Sequence, residues 1–205
     1  MKDYKAYIFD MDLTLLNTLI SSKKSYEYAY KKMGLVFDEF SLTHHLSISL
    51  SETYYELDNP CGTREQFIEY FRECAAETFA EDSFFYEDGI ALIQELKKKG
   101  KIIGIVTNRE YENVMNMISK DQRMQGVVSS IITCDKVKFL KPDPEPIKKC
   151  LEELHLEPSE AVYIGDAKND MVASERANVD FICVERYNNC TFECETIVHD
   201  LREII

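Results

Sequence analysis

Short apolar runs alternate with amphipathic stretches along most of this chain. Residues 4–9, 101–107 (KIIGIVT) and 161–164 (AVYI) are apolar with no clean in/out alternation. Runs of that kind suit parallel strands covered on both faces. Residues 130–133 and 180–184 give two weaker strands. Helical spacing fills the gaps. Ile90, Ile93 and Leu96 sit three apart, from a cap at Asp88 to a stop at Gly100 behind Lys97, Lys98 and Lys99. Tyr111, Val114, Met115 and Ile118 follow the i, i+3, i+4, i+7 rule, as do Ile147, Cys150, Leu151 and Leu154 behind Pro144 and Pro146. Asn178 offers a left-handed stop to a helix ending at Ala177. The alternation predicts an α/β fold with a doubly wound, Rossmann-like parallel sheet.

Residues 17–85 break the alternation. Tyr26, Tyr30 and Met33 share a helical face, and Thr63 with Gln66 has capping-box spacing ahead of Phe67, Phe71, Ala75 and Thr78. No strand is predicted between them. The expected organisation is an α/β core of residues 1–16 and 86–205 with a small helical cap, residues 17–85, inserted after the first strand. Inserts at the C-terminal end of a parallel strand lie over the ligand crevice.

Four polar motifs end or follow these strands. In FDMDLT, residues 9–14, Asp10 and Asp12 stand close enough to repel unless a cation sits between them or one is protonated. A plain acidic turn with Thr14 as cap is the structural alternative. In TNR, residues 107–109, a hydroxyl and adjacent N–H groups suit a phosphate oxygen, although alone Thr107 reads as an ordinary helix cap. In KPDP, residues 141–144, proline restricts the backbone around Lys141, which either faces phosphate or is solvated. In GDAKND, residues 165–170, Asp166 and Asp170 offer oxygen ligands of the kind Mg²⁺ takes, while Asp170 could instead cap the next helix.

Charge sharpens this picture. The 205 residues carry a formal net charge of −13, which repels nucleic acid and anionic membranes. It also repels a phosphorylated metabolite, so such a site needs local cations or a metal. With 45% hydrophobic residues there is material for a real core. No signal peptide or membrane-length apolar run is visible, and the seven cysteines are scattered without a CxxC pair. The expectation is a cytoplasmic protein with reduced thiols. Oligomeric state is not legible.

With these motifs in this order the sequence resembles the haloacid-dehalogenase-like hydrolase superfamily, most nearly its phosphoglycolate-phosphatase and β-phosphoglucomutase branch with a helical cap. The resemblance implies Asp10 as nucleophile and Asp12 as acid and base. It also implies that Thr107, Asn108 and Lys141 bind the phosphoryl group, and that Mg²⁺ is held by Asp10, the Asp12 carbonyl, Asp166 and Asp170. The expected activity is hydrolysis of a small phosphomonoester through an aspartyl-phosphate. A sugar-phosphate mutase and a catalytically silent binding module are the alternatives. The family's frequent glycine after the second aspartate is Leu13 here, and Leu16 and Asn17 stand where an acid is frequent. His44 and His45 read as solvated loop histidines, while Arg109 and Lys168 are left outside the primary site.

Overall fold

The computed structural model describes residues 2–187, 190 and 192–205. The central strand β1 (Ala6–Phe9) comes first, followed by β2 (Leu16–Asn17). Helices α1 (Leu19–Lys32), α2 (Leu42–Ser47), α3 (Leu50–Tyr55) and α4 (Arg64–Asp82) follow, ahead of β3 (Phe84–Phe85). The chain then runs α5 (Glu87–Lys98), β4 (Ile102–Val106), α6 (Tyr111–Lys120), β5 (Ser130–Ile132) and α7 (Glu145–Leu154). It ends with β6 (Ala161–Gly165), α8 (Lys168–Ala177), β7 (Asp180–Val184) and β8 (Ile197–Val198).

Six strands make one sheet in the order β5-β4-β1-β6-β7-β8, with every ladder parallel. The period-two geometry of a strand explains why β1 is apolar throughout. Tyr7 and Phe9 pack on one face with Ile90, Ile93, Leu96, Val114 and Ile118 of α5 and α6. Ala6 and Ile8 pack on the other with Ile147, Cys150 and Leu151 of α7 and Ala173 of α8. Burying each such large apolar side chain contributes roughly 1.5–3 kcal/mol. From β1 the chain first builds outward through β4 and β5, then returns to β6 on the other side. That reversal opens a crevice at the strand C-termini beside β1, where ligands bind in folds of this kind.

Residues 19–82 carry a separate apolar cluster of Tyr26, Ala29, Tyr30, Met33, Leu42 and Phe67. The expected capping box at the start of α4 is present, with Thr63 Oγ1 accepting from the Gln66 N–H at 3.3 Å. β2 and β3 pair antiparallel at the neck of this unit, Leu16 against Phe85. The sequence predicts no strand there, because two-residue strands are too short to show a pattern.

Asp88 is not the cap of α5. The helix begins at Glu87 behind Tyr86, and Asp88 turns inward. Its carboxylate accepts from the Leu201 N–H at 2.8 Å and pairs with Arg186 at 3.1 Å. Asn178 takes the expected left-handed conformation, with φ 56°.

Candidate active site

Asp10, Thr107 and Asp166 each follow the last residue of a central strand, β1, β4 and β6, so the parallel register sets their spacing. The loop before α7 brings in Lys141, and the first turn of α8 brings in Asp170. All seven residues singled out in the sequence, including Asp12 and Asn108, line one cleft of about 260 Å³. Its other wall comes from the helical unit, with Tyr26, His45, Leu46 and Phe71 among the lining residues.

Asp10, Asp166 and Asp170 are buried, at 6%, 4% and 2% exposure. One oxygen from each lies within 4.8 Å of the others. Lys141, also buried, reaches into the group. Its ammonium donates to Asp10 Oδ1, to Asp170 Oδ1 at 2.6 Å, to the Tyr163 hydroxyl at 3.0 Å and to the Val106 carbonyl at 3.3 Å. Burial works against the ammonium, but Asp10 and Asp170 overturn that and hold its pKa well above the usual lysine value. Burial likewise pushes Asp10 up to about 7, against the pull of Lys141 and with further push from Asp170 and Asp12. Asp166 is driven well above the carboxylate range by burial, then by Asp170 and Asp10.

Ionised together, three buried acids outnumber the one buried ammonium, and the upward shifts of Asp10 and Asp166 express that excess. An all-oxygen cluster with excess charge fits a hard divalent cation. The backbone is shaped for the cluster too. A Cβ at Gly165 would lie 2.6 Å from the Asp170 carboxylate, so only glycine admits that approach.

Asp170 fills both roles considered for it. Oδ2 accepts from the Ala167 N–H at 3.1 Å at the start of α8, while Oδ1 faces Lys141. Thr107 does not cap α6, whose cap position is Glu110. Its Oγ1 accepts from the Arg109 N–H at 3.3 Å. Thr14 caps no helix among the described residues and donates to Asp166 Oδ1 at 3.2 Å. The Asn108 side chain clamps the Lys141 backbone, accepting from its N–H at 3.1 Å and donating to its carbonyl at 3.4 Å.

Two arginines make contacts that the sequence reading did not assign. Arg109, left outside the primary site, forks onto Asp12, Nε to Oδ2 and Nη2 to Oδ1, both at 2.7 Å. Its guanidinium stacks on Phe79 of α4, 3.6 Å from the ring centre. Arg186 donates to the carbonyls of Leu13 at 3.1 Å and Thr14 at 2.9 Å, fixing the loop after β1. That loop holds Leu13 at φ 56°, a left-handed conformation costing a leucine about 1 kcal/mol. Position alone could flag Arg109, as the neighbour of a motif. Nothing local marks Arg186, whose partners lie far off in sequence.

His45 corrects an expectation. It is no solvated loop residue: it lies on α2 at 4% exposure, packed against Tyr26, Tyr30 and Phe37. Its Nε2 meets the Tyr30 hydroxyl at 2.7 Å, while Nδ1 has no hydrogen-bond partner among the described residues. His44 fits the expectation better: it is exposed and meets Glu56 at 2.8 Å. Lys168 is exposed at the start of α8. The seven cysteines are free thiols, and no helix among the described residues is long and apolar enough to cross a membrane.

Comparison with known proteins places the chain in company. The sequence profile of the haloacid dehalogenase-like hydrolases matches residues 7–184. A Bacillus mycoides protein named pyrophosphatase PpaX is 31% identical over 185 residues, covering 86% of this chain and 81% of its own length. A candidate phosphoglycolate phosphatase from Lactobacillus plantarum superposes with a TM-score of 0.84 at 21% identity, covering 99% of this chain and 98% of its own. CbbY from Rhodobacter sphaeroides, solved with phosphate, gives 0.78 at 18% identity, covering 98% and 96%. The last two are likenesses of fold.

Proposed function

The chain belongs to the haloacid dehalogenase-like hydrolases, and on that premise we propose that it is a Mg²⁺-dependent phosphatase acting on small phosphorylated metabolites. The observation that carries this reading is the trio of buried acids around Lys141 at the strand ends. Phosphoryl transfer needs positioning and charge compensation more than covalent help from the protein, and this is a site built for both.

Asp10 is the nucleophile. It attacks phosphorus in line, forming an aspartyl-phosphate that water then cleaves. Asp12 protonates the leaving oxygen and later activates the water. Lys141 and the Thr107 hydroxyl bind phosphoryl oxygens, and the Asn108 side chain holds the Lys141 loop in place while its own turn lies beside the phosphate. Mg²⁺, held by Asp10, Asp166 and the Asp12 carbonyl with Asp170 in support, would neutralise charge on the phosphoryl oxygens. Residues 17–85 serve as the cap that closes the cleft and selects the substrate. The relative named as a pyrophosphatase adds the phosphoanhydride to the classes worth testing.

The test is phosphate release from p-nitrophenyl phosphate, pyrophosphate and 2-phosphoglycolate, with Mg²⁺ and with chelator. Turnover should need the metal. Asp10→Asn should lose about 10⁴-fold or more while unfolding cooperatively like the parent. Retained turnover in that variant would remove the nucleophile from the scheme. No release from any of the three by the parent would favour the silent binding module.

A further inference from the structure

Two cations line the cleft among the described residues, Lys141 and Arg109. They are placed very differently. Lys141 is closed in by two carboxylates, a phenol and a carbonyl, with its side chain 5% exposed. Arg109 is partly open, at 23%, and its fork is engaged by the carboxylate of Asp12, itself 31% exposed. The guanidinium plane is held by Phe79 from α4. A planar, bidentate donor that stacks on an aromatic ring fits carboxylate and phosphate alike. The partner it now grips is a carboxylate at the reacting end of the cleft.

There is also room beyond it. Asn108 and Arg109 also line a second cleft, of about 400 Å³. Its cations are Arg109 and Arg72 of α4, against one carboxylate, Glu110. Arg109 lines both clefts, so a second charged group on a substrate whose phosphate sits at Asp10 has a cation to meet there.

We propose that Arg109 is the receptor for a second oxyanion on the substrate, a phosphate or carboxylate on the leaving group, and that it exchanges Asp12 for that anion on binding. The exchange releases both Asp12 oxygens toward the reacting group, so the correct leaving group frees the residue that must act on it. This rests on the phosphatase reading for its location, but it can be tested without turnover.

The measurement is calorimetric binding with Mg²⁺ to Asp10→Asn and to the double variant Asp10→Asn/Arg109→Met. Two ligands form a matched pair: 2-phosphoglycolate and ethyl phosphate, which lacks the carboxylate. Pyrophosphate supplies the phosphate arm. Arg109→Met should weaken phosphoglycolate or pyrophosphate about 10- to 100-fold more than ethyl phosphate, the range expected for a lost charge-assisted contact. A larger loss for phosphoglycolate than for pyrophosphate identifies carboxylate as the natural group, and the reverse identifies phosphate. Equal weakening of all three would overturn the proposal and leave Arg109 as a residue that only positions Asp12. If the methionine variant fails to fold, Arg109→Lys keeps the charge and loses the fork. It should still lower the phosphoglycolate preference about tenfold, and an unchanged preference would equally overturn it. In turnover, the kcat/KM ratio of phosphoglycolate to ethyl phosphate should collapse in step. An Asp10→Asn protein that binds these ligands as expected, beside a parent that does not hydrolyse them, would sink the phosphatase reading and spare this one.

Discussion

On the sheet side of the cleft, Asp10, Thr107 and Asp166 follow three hydrogen-bonded neighbouring strands, and the ladder fixes their separation to within the give of a backbone. On the helical side, Tyr26, His45 and Phe71 come from α1, α2 and α4, with no ladder between them. The sheet side buries its acids and saturates its lysine. Among the described residues the helical side leaves Nδ1 of His45 without a hydrogen-bond partner, and its unit exposes Val36, Phe40 and Tyr55. One wall is set by a backbone hydrogen-bond ladder; the other is set by side-chain packing and side-chain hydrogen bonds between helices, such as Tyr30 to His45 Nε2 at 2.7 Å and Tyr26 to the His45 carbonyl at 3.0 Å. On the proposed reading, chemistry that tolerates little misplacement sits on the first wall and substrate choice on the second.

The contrast can be broken most directly at Lys141. Lys141→Met removes the sole ammonium contacting Asp10 and Asp170 among the described residues. Activity should fall about 10²–10³-fold, and the loss of a buried partner should cost roughly 3–5 kcal/mol of stability. Chemical denaturation beside initial rates checks both, and a variant as stable as the parent would show that the sheet side is not electrostatically braced.

The next test lies in the other unit. Phe67 is fully buried against Tyr30 and Tyr54. Phe67→Ala should cost about 3–5 kcal/mol, confined to residues 17–85. Hydrogen exchange should quicken in α1 and α4 while the β1 amides keep their protection. Equal loss in β1 would mean the two regions unfold as one and the comparison fails.

The last test concerns pH in the metal-free protein. Asp10 is raised from its ordinary 3.8 to about 7 in the fold. Its contribution to stability is therefore complete below about pH 4 and is lost as pH rises through about 7. Asn cannot ionise, so metal-free Asp10→Asn should gain on the parent by up to about 1.4 kcal/mol per pH unit across that window. Saturating Mg²⁺ should shrink the gap. Thermal melts of both proteins from pH 4 to 8 measure it, and a gap that stays constant would show that Asp10 is not desolvated as the fold implies.

Much of the sheet side was legible in the sequence because its determinants are local. A run such as AYIF ends in a fixed direction, and the residue after it must emerge at the sheet's edge, so Asp10, Thr107 and Asp166 could be placed from pattern alone. The spacing to Asp170 followed from one helical turn. His45 was misread because burial is a property of its neighbours: Tyr26, Tyr30 and Phe37 enclose it from other segments, and no local pattern records that.

The sequence by itself therefore determined the family, the alternation of strand and helix, and which acids, hydroxyl and amine meet at the strand ends, since periodicity and chain direction act over a few residues. Only the tertiary structure decided that Arg109 grips Asp12 from a stack on Phe79, that Arg186 holds the loop of Leu13 and Thr14, and that His45 is buried over the cleft. The two arginines' contacts join residues from 30 to 173 positions apart, and a pairing at such range is set by how the layers pack, which no local run of residues encodes.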